Sequence, residues 1–186
     1  PDDYLVYNES FRSGSNALFS LLKRVLYKIR AKRVRRFIGT SGNILDIGCA
    51  NGAFLLSMKQ IGEYGLYGLD IKRTGVDFEK QSINFKEGSF EALDYPKDFF
   101  DAVILDNLLE HVPDPVVFMK KVWVVLKPSG YVFGTTPNFD SIDRFVFGKY
   151  WGGFHMPRHL FLFSNQNLEM FLKRMDFGDI KFPITS

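Results

Sequence analysis

Acidic side chains flank a loop in which small residues recur at every second position. Asp46 precedes the loop that contains Gly48, Ala50 and Gly52, and Asp70 ends another apolar run further along the chain. Because glycine has no Cβ, such a loop lets a ligand contact bare backbone, and the N-terminus of a following helix favours an anionic group. An acid at the end of the second strand can accept both hydroxyls of a ribose. This pattern predicts that Asp70 binds a ribose.

Apolar runs and helical periodicities alternate along the chain from residue 42 onward. Short apolar runs predict strands at 44–47, 64–70, 83–86, 100–105, 131–135 and 179–182. Helical spacing predicts helices at 53–61, 76–81, 116–126 and 165–175, the third ended by Pro128 and Gly130. The alternation indicates an α/β fold, a doubly wound and mostly parallel Rossmann-like sheet with helices on both faces.

Ligands of such sheets bind outside the carboxyl ends of the strands. After the third, fourth and fifth predicted strands the sequence places further polar or aromatic candidates: Ser89, Phe90, Glu91, Asp106, Asn107, Glu110, His111, Thr135, Thr136, Pro137 and Asn138. One acid at a strand end is commonly a cap or a solvated turn. Two acids beside a glycine loop favour a binding site.

A basic segment precedes this alternating region. Its Lys and Arg residues are Lys23, Arg24, Lys28, Arg30, Lys32, Arg33, Arg35 and Arg36, and they fall largely between apolar residues at roughly helical spacing, namely Leu18, Leu22, Val25, Leu26, Ile29, Val34 and Phe37. Ser15 or Asn16 is the expected cap, after a loop at 1–12. The helix either has a solvated basic face or meets anionic lipid headgroups, which would make a peripheral membrane contact, or an anionic substrate. No nucleic-acid-binding signature accompanies the charge, so no nucleic acid is expected.

The composition fits one globular domain with a substantial, phenylalanine-rich core. Cys49 is the single cysteine, which excludes an internal disulfide and predicts a reducing, cytoplasmic location. As a nucleophile Cys49 is less favoured than as a small buried packing residue. No apolar run approaches the ~20 residues that a membrane span needs, and no signal peptide is visible. The first residue is Pro1, so the chain is expected to be a trimmed or partial piece of a longer one.

Five motifs together resemble the class I S-adenosylmethionine-dependent methyltransferases, in the group related to the ubiquinone and menaquinone biosynthesis enzymes. They are Leu-Asp-Ile-Gly-Cys-Ala-Asn-Gly (45–52), Gly-Leu-Asp (68–70), Phe-Asp-Ala-Val-Ile-Leu-Asp-Asn-Leu-Leu-Glu-His-Val-Pro-Asp-Pro (100–115), Leu-Lys-Pro-Ser-Gly (126–130) and Thr-Pro-Asn (136–138). The resemblance covers residues 43–182. It implies a cofactor-binding domain at 41–186, preceded by a basic helical extension at 1–40.

The resemblance implies S-adenosylmethionine as the cofactor and S-adenosylhomocysteine as its product. Asp46, Gly48 and Gly52 would hold the methionine part and Asp70 the ribose. Further along the chain, Ser89 and Phe90 would flank the adenine, and Asp106 and Asn107 would close the site near the amino-acid end or the sulfonium. Cys49, Ala50 and Ile71 complete the predicted cofactor set. Two residues depart from the family pattern: Ala50 replaces the middle glycine, and Ser89 replaces an acid that often contacts the adenine amine, so that Glu91 or a backbone carbonyl would have to substitute.

A segment at 150–160 resembles the Trp…Pro-Arg-His-Leu segment of a subset of these enzymes. It is either a structural loop or an acceptor-binding lid in which His155 or His159 acts as a base and Arg158 grips an anion. For His111 a structural or capping role is expected. Nearby aromatic residues could enclose an apolar acceptor or belong to the core: Phe145, Phe147, Tyr150, Trp151, Phe154, Phe161 and Phe163.

The expected activity is methyl transfer to an oxygen or carbon atom, less readily to nitrogen, of a small-molecule or lipid-like acceptor. No metal is expected, since the acids and histidines lack the spacing of common zinc motifs. A nicotinamide-dependent oxidoreductase is disfavoured because its loop reads Gly-x-Gly-x-x-Gly, whereas the small residues here fall at 48, 50 and 52. A non-catalytic binding or scaffold protein with the same fold stays an alternative, and the oligomeric state is left open.

The resemblance also implies a seventh, antiparallel strand beyond the sixth. The sequence stops at Ser186, so the final hairpin is expected either to be missing or to be abbreviated. A missing strand would expose an edge of the sheet, which favours dimerisation or low stability.

Overall fold

One open sheet of five parallel strands organises the computed structural model, which describes residues 17–182. The strands are β1 (Ser41–Ile47), β2 (Glu63–Asp70), β3 (Ile83–Glu87), β4 (Phe100–Asp106) and β5 (Leu126–Thr135). Their spatial order is β3-β2-β1-β4-β5, and every adjacent pair is parallel. The chain winds outward from β1 in one direction and then returns to β4 on the other side. The crevice at this reversal lies between the loops that follow β1 and β4.

Helices cover both faces of the sheet. They are α1 (Ala17–Ile38), α2 (Ala53–Lys59), α3 (Pro115–Val125), α4 (Ile142–Phe147) and α5 (Asn165–Arg174), with 3₁₀ turns at Leu109–His111, Gly148–Tyr150 and Gly152–Phe154. One buried cluster joins alternate strand residues such as Leu45 and Val103 to α3, and a second joins Ile44 and Ile104 to α1 and α2. The α/β, doubly wound fold predicted from the sequence is confirmed.

Local chemistry fixes where the helices begin. The Asp114 side chain accepts hydrogen bonds of 3.0 Å from the backbone amides of Val116 and Val117, and Pro115 occupies the first turn of α3, where its missing N–H costs nothing. Ser164 begins α5 with a capping box in which it and Asn167 satisfy each other's backbone amides. The loops after β4 and β5 therefore re-enter helices at defined positions.

Two predicted elements are wrong. Residues 76–81 form hydrogen-bonded turns instead of a helix. The Asp77 side chain caps the first turn by accepting from the Lys80 amide. The segment ends there because Ser82 adopts φ 55° and the Ile83 amide donates back to the Phe78 carbonyl, as at a helix C-terminus. Residues 179–182 are not a strand; together with Phe177 they line one wall of a cavity of about 680 Å³ beside β5. The cavity lies between this segment and the edge strand β5, and within residues 17–182 the two form no β-ladder.

The fifth strand is longer than predicted. It begins at Leu126, directly where α3 ends, whereas the sequence indicated a start at residue 131. Pro128 and Gly130 do end the helix, but the chain continues in extended form, with Ser129 at φ 64° and a register shift opposite Phe100 and Ala102. The turn residues therefore produce an irregular strand entry.

Helix α1 packs directly on the sheet. Ala31 and Val34 are buried in the same cluster as Ile44 and Leu55, and the Phe37 ring lies 5.2 Å from Tyr131. The helix thus shares the core of the domain. The division into a 1–40 extension and a 41–186 domain stays a prediction, and the expected loop at 1–12 and caps at Ser15 and Asn16 lie outside the described residues.

Candidate active site

The loop between β1 and α2 is hydrogen-bonded to the end of β2. The backbone amides of Gly48 and Cys49 donate to the Leu69 carbonyl at 2.7 and 3.0 Å, and the Ala50 amide donates to Asp70 Oδ2 at 2.8 Å. The second carboxylate oxygen of Asp70 has only a long contact, 3.4 Å from the Lys72 amide. One oxygen of Asp70 thus fixes the loop, and the other is available to ribose hydroxyls.

The loop needs a left-handed backbone at three positions. Gly48, Ala50 and Gly52 have φ values of 77°, 47° and 72°. A Cβ at Gly52 would lie 2.7 Å from the Phe78 ring, so this position excludes any side chain, whereas at Gly48 the nearest atom would be 3.4 Å away. Ala50 adopts the conformation with a methyl group in place, at the modest steric cost expected of a non-glycine residue. The alanine that departs from the family pattern therefore leaves the turn intact.

Asp46 is a buried carboxyl at the end of β1. It is 3% exposed, and burial raises its pKa to about 7; the Arg30 guanidinium opposes this rise, and the Asp70 carboxylate adds to it. A cationic group brought next to Asp46 would favour the ionised form. This position therefore suits an ammonium or a sulfonium.

Arg30 reaches into the site from α1. Its guanidinium forms an ion pair with Asp106, the last residue of β4, and Thr135 donates to the same carboxylate at 3.5 Å. The sequence pattern groups Arg30 with the other basic residues of the helix and does not reveal this contact. Arg30 lies three residues after Tyr27 and four before Val34, on the inward-packing side of the helix, but the sequence also shows a second apolar face and so does not identify this side.

The remaining predicted cofactor residues differ in their exposure and in their hydrogen bonds. Ile71 follows Asp70 directly and is 64% exposed. Asn107 follows β4 with φ 47°, and its backbone N–H donates to the Thr135 carbonyl. Ser89 caps a local turn by accepting from the Ala92 amide. Phe90 is buried, with its ring 5.2 Å from that of Phe118, so its side chain belongs to the core.

Cys49 packs against the sheet. It is buried, and burial raises the pKa of its thiol, with the nearby Asp46 and Asp70 carboxylates acting in the same direction. Because the thiolate is the nucleophilic form, these surroundings favour the packing role over the nucleophilic one.

The structure brings three histidines together beside the loop after β4. The rings of His111 and His159 lie 4.8 Å apart, and those of His155 and His159 lie 5.3 Å apart. His111 Nδ1 donates to the Arg158 carbonyl at 2.8 Å, and His159 Nδ1 donates to the Gly153 carbonyl at 2.7 Å. Both rings are thereby held with Nε2 as the nitrogen left for other chemistry when the ring is neutral.

Glu110 completes the cluster. It is 1% exposed, and within residues 17–182 neither of its carboxylate oxygens has a hydrogen-bond partner. One ligand atom from each of Glu110, His111 and His159 lies within 4.8 Å of the others, so these three residues could hold a metal ion, a grouping that the sequence spacing did not reveal. The sequence predicts a structural or capping role for His111 and places Glu110 among the candidates after the fourth strand, but only the folded loop brings both residues against His159.

The surroundings of His155 lower the pKa of its imidazole. Burial lowers its pKa, and the neighbouring His159, Arg158 and His111 lower it further. A lower pKa increases the fraction of neutral imidazole at neutral pH, which is the form that accepts a proton.

The aromatic residues near this cluster fall into two groups. Trp151 and Phe163 are buried, and Trp151 donates from its indole nitrogen to Asp143 at 3.0 Å. Phe145, Phe147 and Tyr150 are largely exposed, the last at 80%. The sequence could not separate these groups, because α4 and the following turns expose one row of aromatics while Trp151 turns inward.

One known protein family matches nearly the whole described part of the chain. A family model described as "Methyltransferase domain" matches residues 18–181. The chain belongs to this family. The match includes α1 and the segment that carries His155 and His159.

Two curated relatives have names that mention quinone biosynthesis or a quinone. The chain is 32% identical over 111 residues to the ubiquinone biosynthesis O-methyltransferase of Shewanella sp. (strain ANA-3), covering 55% of this chain and 46% of that protein. It is 30% identical over 128 residues to the demethylmenaquinone methyltransferase of Lactococcus lactis subsp. lactis (strain IL1403), covering 63% and 50%. The chain thus spans about half the length of the curated relatives it matches.

Solved structures share the fold. A SAM-dependent methyltransferase from Archaeoglobus fulgidus superposes with a TM-score of 0.67 at 25% identity, covering 96% of this chain and 76% of that one. The plantazolicin methyltransferase BpumL, solved with SAH and a pentazolic desmethylPZN analog, gives a TM-score of 0.70 at 17% identity, covering 94% and 70%. The predicted class I fold and its cofactor, S-adenosylmethionine, are confirmed.

In the stretch from residue 17 to residue 182 no helix combines the length and the apolar character that crossing a bilayer requires. The location predicted from Cys49 stays a prediction.

Proposed function

We propose that this chain transfers a methyl group from S-adenosylmethionine to an oxygen or carbon atom of a small, ring-bearing acceptor of the quinone type. The family match and the names of two curated relatives support the reaction and the acceptor class. The observation that carries the proposal is the cluster of Glu110 and the histidines, which joins a possible base to the predicted cofactor crevice through the short loop after Asp106.

The cofactor-holding residues follow from the charges of the crevice. Asp46 would face the cationic methionine end, the loop at 48–52 would contact it through backbone, and Asp70 would bind the ribose hydroxyls. Arg30 is suited to the cofactor carboxylate because its guanidinium already lies at the end of β4 beside Asp106. Ile71 would pack against the adenine, since it is exposed directly beyond Asp70.

The bound cofactor supplies an activated methyl group on its sulfonium, so the protein's main task is to align the acceptor. A hydroxyl or ring-carbon acceptor also has to lose a proton. We propose that the imidazole of His155 or His159 takes this proton at a ring nitrogen, and that the Glu110 carboxylate stabilises the imidazolium that forms. Arg158 would contact an anionic group of the acceptor.

The first experiment measures the cofactor site alone. S-adenosylhomocysteine is titrated calorimetrically into the native chain, Asp70→Ala and, as a matched control, Glu169→Ala, an acid on α5 that pairs with Lys173. Affinity should fall at least tenfold in Asp70→Ala and stay unchanged in Glu169→Ala, because losing hydrogen bonds to a charged group costs about 1.5–3 kcal/mol. NAD should not bind. A folded native chain that binds no S-adenosylhomocysteine would contradict the proposal.

The second experiment tests the base. Methyl transfer to a panel of catechols and hydroquinones is compared for the native chain, His155→Ala, His159→Ala and Glu110→Gln at saturating cofactor. Loss of the base should lower kcat by about 10²–10⁴-fold with cofactor affinity retained. Turnover that survives in both histidine variants would exclude this role, and cofactor binding without turnover of any acceptor would favour a non-catalytic binding protein.

A further inference from the structure

Helix α1 has two apolar faces. The inner face consists of Tyr27, Ala31, Val34 and Ile38, spaced i, i+4, i+7 and i+11, and packs on the domain. The other face, here called the outer stripe, consists of Leu21, Leu22, Val25, Leu26 and Ile29, which are 44–56% exposed. A helix that only covers a domain needs one apolar stripe and a polar opposite face. The core therefore does not account for the outer stripe.

The position of the helix places the outer stripe beside the candidate active site. Phe37 packs on Tyr131 and Phe133 within β5, and one side of the helix reaches the carboxyl end of β4 at the Arg30–Asp106 ion pair. The helix thus runs toward the carboxyl edge of the sheet as residue numbers fall. Its turns before Arg30 continue past that edge, where the crevice opens.

Positive charge borders the stripe. The helix contains eight Lys and Arg residues and no Asp or Glu. Arg24, Lys28 and Lys32 form an exposed row, spaced i, i+4 and i+8, on one side of the outer stripe. Leucine and isoleucine beside a basic row are typical of helices that lie in a membrane interface.

Other occupants fit less well. A second copy of the helix would bring this basic row close to another basic row, where like charges repel. Nucleic acid would match the charge but leaves the leucines without an apolar partner. An anionic lipid surface satisfies both features.

We propose that the outer stripe of α1 docks on the surface of an anionic lipid bilayer, with its leucines among the headgroups and its basic row on acidic lipids. The crevice would then open next to the membrane, where an apolar acceptor could enter from the lipid. The docking rests on the helix surface and is independent of the proposed methyl transfer.

The test is co-sedimentation of the native chain with phosphatidylcholine vesicles prepared with and without phosphatidylglycerol, at low and high salt. One variant removes the apolar contact, Leu22→Gln with Leu26→Gln, and another removes charge, Lys28→Gln with Lys32→Gln. Controls make comparable changes at exposed positions elsewhere: Val117→Gln with Val124→Gln on α3, and Lys80→Gln with Lys97→Gln. None of these residues belongs to the proposed cofactor or acceptor site.

The native chain should bind the phosphatidylglycerol vesicles and release them at high salt. Each neutralised lysine should lower the partition coefficient about fivefold, so about 25-fold for the pair, and the leucine variant should lose at least tenfold. The controls should bind like the native chain. Absent binding, or equal binding by all variants, would overturn the proposal, as would self-association or nucleic-acid binding that depends on the same residues.

Cofactor titration of the same samples separates the two proposals. If S-adenosylhomocysteine binds every variant equally while only the two α1 variants lose vesicle binding, the fold and the cofactor site are intact and the docking is confirmed. If vesicles bind and S-adenosylhomocysteine does not, only the proposed enzymatic function fails.

Discussion

Asp46→Asn should stabilise the unliganded protein at neutral pH. In the folded state burial raises the pKa of this carboxyl from its usual 3.8 to about 7. Between these two pH values the folded state binds more protons than the unfolded state, so the free energy of unfolding falls as pH rises. A difference of about 3 pH units corresponds to roughly 4 kcal/mol at 1.36 kcal/mol per unit, reached above pH 7. Asparagine keeps the shape and removes the charge.

Urea unfolding between about pH 5 and pH 8 measures this effect. The native chain should lose stability across the range, and Asp46→Asn should lack that part of the slope. Asp98→Asn, which removes an exposed acid paired with Lys97, is the control and should keep the slope. Parallel pH profiles for the native chain and Asp46→Asn would refute the reasoning. The stabilised variant should bind S-adenosylhomocysteine more weakly, because the cationic end of the ligand loses its carboxylate partner.

Three further predictions concern the site and its supports. Gly52→Ala should destabilise the protein by about 1–3 kcal/mol more than Gly48→Ala, since both positions have positive φ but only the first would meet Phe78 at 2.7 Å; urea unfolding of the two variants provides the comparison. Arg30→Gln should weaken S-adenosylhomocysteine binding about tenfold or more by calorimetry, and an unchanged affinity would remove Arg30 from the cofactor site. Ser164→Ala should lower the free energy of unfolding by about 1 kcal/mol through loss of the α5 cap, without affecting cofactor affinity.

Much of the sheet could be predicted because its strands carry their signal locally. Residues 102–105 before Asp106 are continuous and apolar, and those before Asp70 are aromatic, leucine or glycine, as is typical of strands covered on both faces. Residues 179–182, Asp-Ile-Lys-Phe, alternate polar and apolar side chains as a strand can, but they need a neighbouring strand to become one. A β-ladder is a non-local property, so the sequence of one segment cannot establish it.

In the candidate site, too, some residues could be predicted from the sequence and others could not. The predicted cofactor residues from Asp46 to Asp70 are adjacent to strand ends, and topology alone places them at the crevice. Glu110 and His159 are far apart in sequence and meet only because the segment after β5 folds back over the loop after β4. Arg30 was hidden for a different reason, since its role depends on which side of α1 faces the sheet, and the helix has two apolar faces.

Hydrogen bonds beneath the histidine cluster connect the loop after β4 to residues 158–161. The Glu110 carbonyl accepts hydrogen bonds from the amides of Leu160 and Phe161, at 2.8 and 3.3 Å, and His111 donates to the Arg158 carbonyl. Residues 158–161 are therefore hydrogen-bonded to the loop that continues from Asp106. If the crevice holds the cofactor and the segment at 150–160 the acceptor, as proposed, then these hydrogen bonds couple the two sites, and a displacement of the loop after Asp106 would be transmitted to the acceptor segment.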